Sequence, residues 1–124
     1  MLNEIKEKYQ TFSDSVIHRI GFKTLNEETS LIQNDMIIFI EALNWKNDTW
    51  ERLKIIFTEV TQIRIIENKR RHIDVVFEAL ICEDSGEVVF DFDPIDIDGV
   101  GNLKENPDSN FSVRCKSVSF ELIA

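Results

Sequence analysis

The segment from Trp50 to Ile66 constrains the fold more than any other. Trp50, Leu53, Ile56, Phe57, Val60 and Ile63 fit a helical stripe, and Asp48 with Glu51 would serve as its capping pair. The same stretch also holds Ile55, Ile56, Thr58, Val60, Thr61, Ile63, Ile65 and Ile66. β-Branched side chains at this density lose rotamer freedom in a helix but pack well on a pleated surface. The segment therefore reads as two strands, Glu51 to Thr58 and Gln62 to Ile66, joined by a bend or bulge near Glu59-Val60. A chain with such a centre is a β protein.

Other stretches fit around it. Leu2, Ile5, Tyr9 and Phe12 recur at spacings of three and four, which predicts a short amphipathic helix. From Ser15 the period becomes two, with Val16, His18, Ile20 and Phe22 expected on the apolar side of a strand. Leu25 to Asp35 is polar and reads as a connection. Met36 to Leu43 is apolar at nearly every position, as in a strand covered on both faces, and Asn44 to Asp48 makes the following turn. Lys69-Arg-Arg-His72 reads as a solvated hairpin loop. Beyond it Ile73, Val75, Phe77, Ala79 and Ile81 alternate with other residues to Cys82, which predicts one long strand.

Asp84-Ser85-Gly86 then reads as a three-residue hairpin connection, with Gly placed for a positive φ, leading into Val88 to Phe92 and stopped by Pro94. Asp93 to Asn110 is loop by composition, with Ile95, Ile97, Val100 and Leu103 as apolar anchors. In the last strand, Phe111 to Ile123, the apolar parity changes after Cys115, which predicts a β-bulge near Lys116-Ser117. The expectation is a mainly β protein, α+β remaining open. Its architecture would be an antiparallel sheet or sandwich of about seven strands with one short N-terminal helix.

A length of 124 residues fits a single domain over 1–124. The first nine residues lack the apolar core of a signal peptide, and no run approaches the ~18 apolar residues of a membrane span, so no membrane partner is expected. Cys82 and Cys115 lie in apolar strand-like stretches and read as reduced, buried thiols, with the cytoplasm as default compartment.

Charge is polarised along the chain. Residues 1–72 hold 11 basic and 11 acidic side chains, whereas residues 73–124 hold 3 and 12, which accounts for the net −9. Between Glu83 and Asp108, nine acidic residues face a single Lys104. Such a surface repels phosphates, so nucleic acid is excluded as an expected partner.

These residues invite several chemistries. Asp96, Asp98, Gly99 and Glu105 match positions 3, 5, 6 and 12 of a calcium-binding loop, but position 1 is Pro94, which has no side-chain oxygen. Gly99-Val-Gly101 lacks the third glycine and the helix of a phosphate-binding turn. His18 has no second ligand at metal spacing, so a hydrogen-bonded core or rim histidine outweighs a base or metal ligand. No nucleophile motif occurs. The chain is thus expected to be non-enzymatic, without a cofactor, and to bind protein through Glu87, Asp91, Asp93, Asp96 and Asp98, with Trp45 as an aromatic contact. Solubility alone also accounts for an acidic surface.

Phe12-Ser-Asp14-Ser15-Val-Ile-His-Arg-Ile20, the strand Asp35 to Leu43, and Trp50-Glu-Arg-Leu53-Lys-Ile-Ile-Phe57-Thr-Glu-Val60 resemble YxiG-like small bacterial proteins and related immunity proteins of polymorphic toxin systems. Their opening is Phe-His-Asp-Ser, and Ser13 stands here in place of the His. The resemblance implies a β-rich, non-enzymatic protein that neutralises a cognate toxin. Combined with the charge, it suggests that residues Glu83 to Asp108 cover the basic active site of a toxin. A calcium-dependent module and a purely structural or homodimeric β module remain the alternatives.

Overall fold

A computed structural model of the chain describes residues 1–24, 34–66 and 74–123. One helix, α1 (Leu2–Tyr9), is followed by β1 (Ser15–Thr24), β2 (Asn34–Asn44), β3 (Thr49–Ile65), β4 (Val75–Val76), β5 (Leu80–Asp84), β6 (Glu87–Asp91), β7 (Ile95–Asp96), β8 (Leu103–Lys104) and β9 (Phe111–Leu122). Seven of the strands form one antiparallel sheet in the order β4-β1-β2-β3-β9-β6-β5, and β7 pairs with β8 apart from it. The expected mainly β class, antiparallel pairing and N-terminal helix are all present.

The order has a geometric consequence. β4 and β5 are opposite edges of the sheet, yet only residues 77–79 separate them in the chain. Seven flat strands would set those edges about 29 Å apart, whereas the step from Val76 to Leu80 spans at most roughly 14 Å. The sheet must curl, and it forms a half-barrel.

Its concave side holds the core. Met36, Ile38 and Ile40 of β2 and Leu53, Ile55 and Phe57 of β3 alternate inward and are fully buried, with Phe90 of β6 and Val113 and Cys115 of β9. Ile5 and Tyr9 of α1 close over them, Tyr9 stacking on Phe12 at 5.5 Å, and Phe57 meets Phe90 edge-on at 5.0 Å. Each such buried aromatic or aliphatic side chain stabilises the fold by roughly 1.5–3 kcal/mol. Segment 74–79 is tied to the start of the chain. Ile17 N donates to Asp74 O at 2.6 Å, Ala79 N to Thr11 O at 2.7 Å, and Ser13 Oγ to Phe77 O at 3.0 Å.

Several expectations are corrected. Residues 50–66 do not form two strands. β3 is continuous, and the predicted bend survives as a left-handed Glu59 (φ 54°) beside a register shift between Val60 and Gln62. The parity change in β9 is real, since Lys116 and Ser117 are exposed between buried Cys115 and Val118, but the register shift falls on β3. The long strand expected up to Cys82 is broken into β4 and β5, because the chain must cross between sheet edges. Phe77 is 80% exposed in the crossing. In β1 the register slips between Ile17 and Arg19, so Ile17 is buried while Val16, His18 and Phe22 are exposed.

β2 is fully covered on one face only, its odd-numbered residues being half-buried. The hairpin after β5 has a two-residue loop, Ser85-Gly86. Both residues have positive φ (54° and 80°), the geometry of a type I′ turn. The readings of Leu25 to Gln33, of the basic turn Lys69 to His72 and of Ile73 lie outside the described residues.

Candidate functional site

β6 sends Val88 and Phe90 into the core and therefore Val89 and Asp91 to the convex side. Both are nevertheless fully buried, since the loop between β6 and β9 folds back over them. Asp91 is its anchor. The carboxylate accepts hydrogen bonds from Asp93 N at 2.9 Å, Asn106 N at 2.8 Å and Ser109 Oγ at 2.6 Å. Asp93 adds a second tie, its Oδ2 accepting from Asn110 N at 3.1 Å and Asn110 Nδ2 at 3.0 Å. Asn106 Nδ2 donates to Asp93 O at 3.0 Å, and Arg64 Nε of β3 donates to Ser109 O at 2.7 Å. A polar network of this kind is stabilising because its buried members are satisfied.

From that base the β7–β8 ladder projects a tip, residues 97–102. Asp96 Oδ1 accepts from Gly99 N at 2.9 Å, and its carboxylate also meets Gly101 N. Asp98 accepts from Val100 N at 3.0 Å and from the Asn102 side-chain amide. The Val100 amide is the main cause that holds the Asp98 carboxyl below its ordinary range. Gly99 and Gly101 carry the positive φ values (75° and 97°) that let the amides converge on the carboxylates. Ile97 and Val100, expected as anchors, are instead 64% and 81% exposed, while Ile95 and Leu103 are half-buried. The tip thus shows two exposed apolar side chains next to two carboxylates.

Beside the loop, Arg114 of β9 gathers the acidic hairpin. Its Nε and Nη2 lie 3.1 and 2.5 Å from the two oxygens of Glu105, a bidentate pair, and Nη2 is also 3.1 Å from Asp84 Oδ2. Glu87 Oε1 stands 3.9 Å from Nη1, and Glu87 also accepts from Thr61 Oγ1. The Glu105 contact leads the causes that raise the Arg114 pKa above its ordinary value. One guanidinium faces three carboxylates, so the cluster keeps a net negative charge.

The residues expected to bind a partner are divided by this geometry. Asp96 and Asp98 stand exposed at the tip. Asp91 is a correction: buried under the loop, it holds the base and meets no solvent. Asp93 is half-buried in the same base, and Glu87 belongs to the Arg114 cluster. Trp45 is 47% exposed in the β2–β3 turn, its amide bonded to Lys8 O at the end of α1, so it belongs to another part of the surface. Arg114, Asn106 and Ser109 were missed. Arg114 had one available signal, as one of only three basic residues after His72.

His18 does not point to the apolar side. The bulge turns it outward, with Nε2 3.2 Å from Glu41 Oε2. Cys115 is buried, its thiol pKa pushed up to about 11 mainly by desolvation, and half-buried Cys82 is raised by the same cause; both are free. Among the described residues no group of three His, Cys, Asp or Glu side chains is placed to hold a metal ion, and no helix is long and apolar enough to cross a membrane. Comparisons with protein-family models, with curated proteins and with solved structures return no match.

Proposed function

We propose that this chain is a non-enzymatic protein-binding module of the immunity kind. On this reading it captures a basic partner such as a toxin and covers its active site with the tip of the β6–β9 loop. One observation carries the reading: Ile97 and Val100 stand exposed beside Asp96 and Asp98 in a loop whose base is fixed by buried Asp91. Apolar side chains on a loop held in place lose little entropy on binding, and a surrounding negative field speeds encounter with a basic surface. The resemblance to immunity proteins supplies the partner class, and a compartment that keeps Cys82 and Cys115 reduced, the cytoplasm, fits it. The calcium alternative is disfavoured because oxygens of Asp96 and Asp98 face amides of their own loop.

The test is co-purification with the product of a neighbouring toxin gene, followed by capture rates for Ile97→Asp with Val100→Asp, and for Asp98→Asn. The apolar pair should speed dissociation by at least tenfold, and Asp98→Asn should slow capture at low salt. Unchanged kinetics in both variants would refute the reading.

A further inference from the structure

The convex side of the sheet has two halves, and among the described residues only one is covered. Over β6 and β9 lies the acidic loop. Over β1, β2 and β3 no described segment crosses. The outward positions there are placed by the register: Gly21, Ile37 and Ile56 in one row, Arg19, Phe39 and Lys54 in the next, Glu41 opposite Arg52, and Leu43 opposite Trp50. β9 continues two of these rows, Ser119 beside Ile56 and Glu121 beside Lys54. The solvated side of an antiparallel sheet is ordinarily polar. Here Ile37, Phe39, Leu43 and Ile56 are half-buried and Trp50 is 54% exposed, so the face is apolar along its centre.

Charge selects what can cover it. By the register, Arg19, Lys23, Arg52 and Lys54 share this face with Asp35, Glu41 and Glu121, so its charges nearly balance, at a formal +1, in a chain of net charge −9. Its cations already have partners within the face: Arg52 Nε lies 4.0 Å from Glu41, and the Arg19 guanidinium lies over Phe39, 5.6 Å from the ring centroid. A strongly basic or acidic partner gains nothing from such a surface. Another copy of an acidic chain is repelled everywhere the C-terminal half is presented, and least here. An array of both signs is also self-complementary, as a twofold contact requires.

We infer that a second copy of this chain packs face to face on the outer surface of β1, β2, β3 and the C-terminal end of β9, beyond the part that pairs with β6, joining two molecules about a twofold axis. A groove of about 270 Å³ on that surface, lined by His18, Phe39, Arg52 and Ile123 among others, gives it relief for interlocking side chains. Four strands by some eight residues make a footprint of roughly 500 Å² per copy, below the roughly 800 Å² of a standard interface. The dimer is therefore weak, and it leaves both acidic loops free.

Sedimentation velocity from roughly 5 µM to 1 mM, at low and high salt, tests this. The expected result is a reversible dimer that tightens with salt, because the charges of the interface nearly balance and salt screens the mutual repulsion of two acidic chains. Ile37→Glu with Ile56→Glu should weaken it at least roughly 30-fold. Ser119→Arg touches no core residue and should act in the same direction if the double variant fails to fold. Ile97→Asp with Val100→Asp should leave it intact. A monomer throughout the range, a dimer that salt loosens, or one that depends on the loop tip but not on the sheet face would overturn the inference.

Discussion

Asn106 donates its amide to the Asp91 carboxylate at 2.8 Å, across fifteen residues of chain, and so closes the acidic loop onto the buried side chain of the strand that precedes it. Replacing Asp91 with Ala leaves the Asn106 and Asp93 amides without this acceptor and the Ser109 hydroxyl with Phe111 O in its place. Such a loss should cost about 2–4 kcal/mol in urea unfolding. Hydrogen exchange across 93–110 should rise in the same variant, while exchange in β2 and β3 stays slow at equal distance from the midpoint.

Arg114 should behave as the neutraliser of its cluster. In Arg114→Met, Asp84, Glu87 and Glu105 face one another with no cation among them, which should cost about 1–3 kcal/mol. The penalty should shrink as salt is added, because screening acts on repulsion between partly exposed carboxylates. A salt-independent loss would assign the role of Arg114 to packing.

The Ser85-Gly86 turn is improvable. Ser85 adopts φ 54°, a conformation that Asn tolerates better, and Asn-Gly is the preferred pair of a type I′ turn. Ser85→Asn should raise stability by about 0.5 kcal/mol and Gly86→Ala should lower it by about 1 kcal/mol, read as opposite shifts of the denaturation midpoint.

Ser15 begins β1 fully buried, and its hydroxyl finds no hydrogen-bond partner among the described residues. Removing an unpaired buried hydroxyl relieves its desolvation. Ser15→Ala should therefore be neutral or stabilising by up to about 1 kcal/mol in thermal unfolding, unlike a typical buried substitution.

Cys115 gives a pH dependence. Its folded pKa, near 11, lies above the ordinary value of 9.0, so the folded state binds the thiol proton more tightly than the unfolded state. That contribution is fully present below pH 9 and is lost as pH rises towards 11. The stability of the wild type should fall more steeply than that of Cys115→Ala over this window. Alkylation followed by mass spectrometry should find Cys82 modified well before Cys115.

How far the sequence revealed this molecule follows from where each determinant resides. β3 was legible because its β-branched residues express a local preference, and even its bend near Glu59 left a mark in the pattern. The orientation of β1 was not legible. A bulge at His18 is a backbone event that leaves no trace in composition, yet it reverses which residues face the core. The break at Phe77 was hidden for a related reason: alternation continues through it, and only the topology of the whole sheet demands a crossing. Asp91 and Asp96 illustrate the limit for the site. Both stand in the same acidic run, and one is a buried anchor while the other stands in solvent, a distinction created by how the loop folds back.

The three residues between Val76 and Leu80 fix the radius of the sheet. Because they join its two margins, the circumference of the half-barrel is set by the length of one short connection as well as by side-chain packing. A chain lengthened there by two or three glycines could open to a flatter curvature, with its aromatic interior wetted along the seam. One shortened there could not close its ladder. Curvature, to which the bulges of β1 and β3 also contribute, is in this protein locked by a single covalent stitch.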